Sequence, residues 1–231
     1  MKILIAGWQK MSLIDYPGGV SCVVFLAGCN MRCHYCHNSK LFHTKENKIP
    51  FDEVKEYLKA NEKMLDAIVI SGGEPTINPT LIDIIYEVRK NFLNLKIKLD
   101  TNGVNFPLLE RLVNEKLIDY VAMDIKSPAY KYRAFTGIWD VNILNSANLL
   151  KENRVPYMFR TTLSPFLTKT DIFGMGMEFI EGAETWQLQQ FIPNEYSSSH
   201  KIVGLPRTKK DIDEFAEIAS RFAKNVLVKG L

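Results

Sequence analysis

Ser21-Cys22-Val23-Val24-Phe25-Leu26-Ala27-Gly28-Cys29-Asn30-Met31-Arg32-Cys33-His34-Tyr35-Cys36 joins a continuous apolar run to three cysteines crowded within eight positions. The run Ser21–Ala27 lacks the in-out alternation of a half-solvated strand and stops at a glycine. It therefore predicts a strand buried on both faces, the kind found in parallel sheets covered by helices. The rest of the chain repeats that plan. Helical spacing over Phe51–Met64 precedes a strand at Asp66–Ile70, and a helix over Pro79–Phe92 precedes a strand at Leu95–Leu99. A helix at Pro107–Lys116 leads to a strand at Tyr120–Ile125, and one at Asn142–Asn153 to a strand at Pro156–Leu163. Thr168–Ile180 (helix), Thr185–Ile192 (strand) and Thr208–Lys224 (helix) close the series. Asn78 before Pro79, and Thr208 before an acidic first turn, read as helix caps.

Strands alternating with helices of this length imply βαβ units and an α/β fold around a parallel sheet. About six units fit, two short of a closed eight-unit barrel, so the expected architecture is a partial, open (β/α)6 barrel. A doubly wound open sheet is the alternative. Residues 1–231 are expected to form a single domain, with residues 1–18 as an N-terminal extension, a core of about 19–231, and Asn194–Pro206 as a second peripheral piece.

Of 231 residues, 46% are apolar and 24% charged, and the net charge is +3. These values fit an ordinary globular protein. The densest basic cluster, Arg207, Lys209 and Lys210, opens a predicted helix and reads as a solvated face, so no nucleic-acid partner is expected. No stretch approaches the roughly 20 apolar residues of a membrane helix, and Met1–Trp8 lacks the layout of a signal peptide. A cytoplasmic location and no membrane partner are expected. Four cysteines are too few for a disulfide scaffold, and three so close together in a reducing compartment point to metal.

The spacing is C-x3-C-x2-C. Cys29, Cys33 and Cys36 can wrap one iron–sulfur cluster, each reaching a different iron. On a [4Fe–4S] cluster three ligands leave one iron open, as a catalytic metal site requires. Zinc, with His34 or His37 as fourth ligand, fits the spacing too. Cys22, inside the apolar strand, reads as a buried thiol. Further turns follow the predicted strands at the end where parallel folds place ligands: Ser71-Gly72-Gly73-Glu74-Pro75, Asp100-Thr101-Asn102-Gly103 and Met123-Asp124-Ile125-Lys126. Two glycines permit close backbone approach to a ligand. Acids and a lysine at such a face can hold an ammonium, a ribose, a cation or a carboxylate.

C-x3-C-x-aromatic-C, with Tyr35 as the aromatic, resembles the signature of the radical S-adenosylmethionine superfamily, and Gly72-Gly73-Glu74 is similar to its GGE motif. The resemblance implies a [4Fe–4S] cluster on Cys29, Cys33 and Cys36, with S-adenosylmethionine chelating the fourth iron. Tyr35 and His37 would lie beside the cofactor, Gly72, Gly73 and Glu74 at its ammonium, and Asp100, Asp124 and Lys126 at its remaining polar groups. Asp100-Thr101-Asn102-Gly103 and Asp124-Ile125-Lys126 resemble segments of the activating enzymes of glycyl-radical proteins. The opening Gly7-Trp8-Gln9-Lys10-Met11-Ser12-Leu13-Ile14-Asp15-Tyr16-Pro17-Gly18, with Cys36-His37-Asn38, resembles activating proteins of anaerobic ribonucleoside-triphosphate reductase. That branch implies reductive cleavage of S-adenosylmethionine to a 5′-deoxyadenosyl radical. A glycyl radical would then form on the reductase as partner, with flavodoxin or ferredoxin as electron donor. Gln187–Pro193 departs from related pyruvate formate-lyase activators, which carry a cofactor-contacting histidine there. Arg160 and Gln189 are the weaker candidates from the later strands. The competing expectations are activation of a pyruvate formate-lyase-like enzyme, a radical enzyme acting on a small molecule, and a zinc-binding interaction module. The lack of a recognisable lid domain or second cysteine cluster favours a protein substrate.

Overall fold

The chain is described by a computed structural model over residues 3–43, 45, 47–193 and 205–230. Its first elements are β1 (Leu4–Ile5), β2 (Gly7–Ser12), β3 (Ser21–Leu26), β4 (Ile49–Pro50), α1 (Phe51–Ala60) and β5 (Ala67–Gly72). Then come α2 (Leu81–Asn91), β6 (Lys96–Thr101), α3 (Phe106–Asn114), β7 (Tyr120–Asp124), α4 (Ala129–Thr136) and α5 (Asn142–Lys151). The last are β8 (Tyr157–Leu163), α6 (Lys169–Met175), β9 (Ala183–Gln190), α7 (Lys209–Ala219) and β10 (Ala223–Lys229).

The main sheet runs β10-β9-β8-β7-β6-β5-β3-β2, parallel from β3 to β10, while β2 lies antiparallel to β3. Each new parallel strand adds to the same edge, with no reversal of order. A doubly wound sheet needs such a reversal, so the strand order selects the barrel-type winding. Six βα units are present, as expected, and β10 follows them as a seventh parallel strand. The sequence reading ended the last helix at Lys224, whereas the helix ends at Ala219 and the chain re-enters the sheet at Ala223. The short α4 was likewise not foreseen. Residues 7–12, within the stretch set aside as an extension, form the edge strand β2. Of the second peripheral piece, residues 194–204 lie outside the described residues.

Local chemistry explains the helix starts. Thr208 and Asp211 form a reciprocal capping box on α7, and Thr168 and Asp171 do the same on α6. Asn78 is not the cap of α2, which begins at Leu81. Its Oδ1 instead accepts from the Thr80 amide and hydroxyl, and its Nδ2 donates to the Ala27 carbonyl, pinning this turn to the end of β3.

The loop after β2 folds back toward the strands. The Tyr16 ring meets Tyr120, at the start of β7, edge to face at 6.2 Å, and Lys229, at the end of β10, donates to the Ile14 carbonyl at 3.1 Å. One loop thus reaches both the middle of the sheet and its far edge. No helix among the described residues is long and apolar enough to cross a membrane.

The turn after β5 makes the tightest backbone approach. The Gly73 amide donates to the Leu26 carbonyl and the Glu74 amide to the Gly28 carbonyl, carrying the β3–β5 pairing into the cysteine loop. A Cβ on Gly73 would sit 2.2 Å from the Gly28 carbonyl oxygen; one on Gly72, at φ 128°, would sit 2.2 Å from that of Leu26. These glycines let backbone meet backbone, Gly72 against the end of β3 and Gly73 against the start of the cysteine loop. Gly73→Ala should lower the urea unfolding free energy of the metal-free chain by about 1–3 kcal/mol, the usual cost of overpacking. Gly7→Ala, with nothing within 4 Å of its Cβ, should stay within about 0.5 kcal/mol of the parent.

Candidate functional site

The C-terminal ends of β3 and β5 through β8 surround one cavity. Cys29, Cys33 and Cys36 line it together with Tyr35, His37, Gly72, Gly73, Glu74, Asp100, Asp124, Lys126 and Arg160. All the residues selected from the sequence motifs therefore come together. Gln189 is not among the lining residues, while Thr162 of β8 is. Cys22 is fully buried within β3, and burial alone pushes its thiol to about 12.

The cysteine loop is braced by α4. The Arg32 amide donates to the Thr136 carbonyl at 2.7 Å and the His34 amide to that of Phe135 at 3.3 Å. The His34 ring nitrogens lie 3.2 Å from the Phe135 carbonyl oxygen and 3.4 Å from Ser164 Oγ, and its ring packs against Phe135 and Phe166. His34 is thus committed to the brace. His37 lines the cavity, and its buried Nε2 has no hydrogen-bond partner among the described residues. Burial lowers its imidazole below the ordinary value, which favours the neutral ring.

Burial likewise raises all three loop thiols, Cys29 to about 11, while the Lys126 charge acts in the opposite direction on each. Three thiols around one cavity, Cys33 buried and Cys29 and Cys36 half-buried, near a shared cation form a donor set suited to a bound iron–sulfur cluster, whose irons favour thiolate ligands. Among the described residues no three Cys, His, Asp or Glu side chains converge on a point suited to a single ion.

Glu74 is 1% exposed. Its Oε1 accepts from the Thr76 amide (3.1 Å), the Thr76 hydroxyl (2.6 Å) and the Thr101 hydroxyl (2.7 Å); Oε2 accepts from the Asn102 amide (2.6 Å). Burial pushes this carboxyl above its ordinary value, and the four donors offset that rise only in part. Oε2, with one donor, keeps acceptor capacity on a group that lines the cavity. The Asn102 side chain reaches across to Asn30 of the cysteine loop at 2.8 Å. One carboxylate and one amide thereby tie three loops together.

A chain of alternating charges runs across β6, β7 and β8 at the cavity. Lys98 Nζ lies 2.6 Å from Asp100 Oδ1, and Asp100 Oδ2 is 3.1 Å from an Arg160 nitrogen. Arg160 Nε lies 2.8 Å from Asp124 Oδ1, and Asp124 Oδ2 is 3.1 Å from Lys126 Nζ. Arg160 is therefore no surface ion pair but the bridge between two aspartates. Burial alone would raise Asp100, yet Arg160 and Lys98 outweigh it and hold the carboxyl at about 2. Asp124 is lowered on the same balance, with Arg160 and Lys126 as its cations. Burial works against the Lys126 ammonium, but Asp124 and the neighbouring thiols and tyrosines place it well above its ordinary value.

Lys98 was missed by sequence reasoning, although a signal was present. In Lys96-Ile97-Lys98-Leu99-Asp100 the side chains alternate faces, so Lys98 shares a face with Asp100 while Ile97 and Leu99 enter the apolar core. Asn30 and Thr162 carried no comparable signal, because their roles depend on which strands become neighbours.

The sequence profile of the Radical SAM superfamily matches residues 23–175. A Methanocaldococcus jannaschii protein, provisionally named a glycyl-radical enzyme activating enzyme, is 34% identical over 99% of this chain and 97% of its own length. The pyruvate formate-lyase-activating enzyme of Staphylococcus epidermidis is 27% identical over 89% of this chain and 87% of its own. Among solved structures, Streptococcus suis SuiB bound to its precursor peptide SuiA superposes with a TM-score of 0.71 at 15% identity, covering 90% of this chain; this chain spans about half of SuiB (48%). A domain of the Bacteroides vulgatus pyruvate-formate lyase-activating enzyme gives 0.54 at 16% identity, covering 70% of this chain and 98% of that domain. Profile, full-length relative and fold agree: the chain belongs to the radical SAM superfamily, whose members use a [4Fe–4S] cluster and S-adenosylmethionine.

Proposed function

We propose that the chain is an activating enzyme that installs a glycyl radical on a partner enzyme, and that the partner is an anaerobic ribonucleoside-triphosphate reductase. The observation that carries the activating role is similarity running along essentially the whole of both chains to the archaeal relative named for it. The choice of reductase rests on Gly7–Gly18 and on Cys36-His37-Asn38. Likeness to the staphylococcal enzyme favours a second reading, a pyruvate formate-lyase-like partner.

In this proposal Cys29, Cys33 and Cys36 hold the cluster. Glu74 Oε2 and the Gly72–Gly73 backbone receive the methionyl ammonium, Lys126 and Arg160 face the carboxylate, and Tyr35 and His37 flank the adenosyl group. When bound, the cluster and S-adenosylmethionine supply the one-electron cleavage that yields methionine and a 5′-deoxyadenosyl radical. The protein contributes orientation and shelter from water. Transfer of one hydrogen from a partner glycine Cα leaves 5′-deoxyadenosine and a radical delocalised into the flanking amides. A flavodoxin- or ferredoxin-type donor and a cytoplasmic location belong to the same proposal.

Three outcomes are expected. Single Cys29→Ala, Cys33→Ala or Cys36→Ala variants should lose most of the iron bound after anaerobic reconstitution, about four irons per chain, while Cys22→Ala keeps it; iron assay and the visible spectrum read this. Glu74→Gln and Lys126→Met should keep the iron but raise the Kd for S-adenosylmethionine about tenfold or more, a loss typical of one charge-assisted contact. Anaerobic incubation with the reductase, S-adenosylmethionine and reductant should give a glycyl-radical signal by electron paramagnetic resonance, which disappears when the partner glycine is replaced by alanine. The same signal on a pyruvate formate-lyase-like enzyme, with none on the reductase, would move the assignment to the second reading.

A further inference from the structure

The charge chain begins below the cavity. Lys98 is 2% exposed and does not line the cavity that Asp100, Asp124, Lys126 and Arg160 line. It lies one step beneath them on β6, on the same strand face as Asp100, with its ammonium 2.6 Å from Asp100 Oδ1. The other oxygen, Oδ2, accepts from the Ser71 hydroxyl at 3.0 Å and from Arg160 at 3.1 Å. Both oxygens of Asp100 are therefore engaged from different sides, and the carboxylate is fixed in rotation.

The remaining links follow. Arg160 is shared between Asp100 and Asp124, and Asp124 between Arg160 and Lys126. Asp100 and Asp124 stand at the ends of adjacent parallel strands, where two carboxylates would repel. Three cations, Lys98, Arg160 and Lys126, offset them. Withdrawing the deepest leaves Arg160 as the sole cation on Asp100. The guanidinium is then drawn toward that carboxylate and away from Asp124, and Asp124 pulls harder on Lys126. The two cations facing the cavity would lose their setting although neither had been altered.

A buried ammonium is costly unless paired, so Lys98 needs a reason to be there. Burial lowers it below its ordinary value and Arg160 acts in the same direction, while Asp100 and Asp15 act against them. Asp15 comes from the loop after β2, where its carboxylate is held by the Ser12 hydroxyl at 2.6 Å. The lysine thus feels the charge of an acid from the N-terminal loop as well as that of the cavity acid it is bonded to.

We infer that Lys98 is a positioning residue for S-adenosylmethionine: it fixes Asp100 and, through Arg160 and Asp124, sets the cations that receive the methionyl carboxylate. The inference rests on the cavity being the S-adenosylmethionine site and is independent of which partner enzyme is activated.

The test uses the full chain with its reconstituted cluster and no partner protein. Lys98→Met, Asp100→Asn and the double variant are compared with the parent for iron content, for S-adenosylmethionine Kd read from the change in the reduced-cluster paramagnetic spectrum, and for the urea unfolding midpoint of the metal-free chain. Lys98→Met should retain its iron and weaken S-adenosylmethionine binding about tenfold. The double variant should be no weaker than Asp100→Asn alone, because both residues act through one carboxylate. Lys98→Arg, which keeps the charge, should bind within about threefold of the parent; it also serves as the test should Lys98→Met fail to fold, and a tenfold loss in Lys98→Arg would then overturn the inference. A lowered unfolding midpoint with unchanged Kd in Lys98→Met would reduce Lys98 to a structural role and overturn the proposal. Additive losses in the double variant would do the same. Failure of the parent itself to bind S-adenosylmethionine would instead overturn the reading of the cavity.

Discussion

A carboxylate buried to 1% exposure is tolerable only when it is hydrogen-bonded, and Glu74 meets that demand with donors from two separate turns. The turn after β5 and the turn after β6 cannot move apart without stranding that charge, at a cost on the order of several kcal/mol. The same residue's amide is bonded to Gly28, where the cysteine loop leaves β3. A single position therefore holds cluster loop, glycine turn and Asp100 turn in one frame. The glycines before it have no side chain because the backbone they meet is already at contact distance.

This frame explains why the motifs are legible singly but their joint geometry is not. The cysteine spacing, the paired glycines and the acids after β6 and β7 are each printed locally, and each sits at a strand end. Parallel winding then gathers strand ends at one face, so the motifs converge without further instruction. The fold was legible for a related reason: apolar strands alternating with helices repeat six times. Two of the elements that escaped, besides the short strands β1, β2 and β4, show why. β10 reads Ala-Lys-Asn-Val-Leu-Val-Lys, half solvated as an edge strand is, and lacks the apolar continuity of the inner strands. In α4, Ala-Tyr-Lys-Tyr-Arg-Ala-Phe-Thr has little apolar periodicity, and its last carbonyls accept from the cysteine loop.

Polar roles escaped more often than apolar ones. Arg160 alone has several readings in sequence; its assignment as a bridge comes from β7 and β8 being neighbours in register, with Asp124 opposite Arg160. Gly72 and Gly73 read as making room for a ligand, and they also make room for the end of β3 and the start of the cysteine loop. Asn78 looked like a cap and is a tether. In each case the residue type named the kind of interaction correctly, and the tertiary neighbour decided with whom.

The main sheet ends on β2 at one edge and β10 at the other, and the described residues span that side through the Lys229–Ile14 contact rather than by strand pairing. In a closed barrel, strand number and stagger together fix the radius, so the lumen can widen only by breaking hydrogen-bonded rungs. Here the circumference is not a closed ring of rungs. Twist accumulated along the sheet can change the distance between its two free margins while every ladder stays intact, which gives the aperture over the cavity an elastic degree of freedom that a complete eight-unit barrel does not possess.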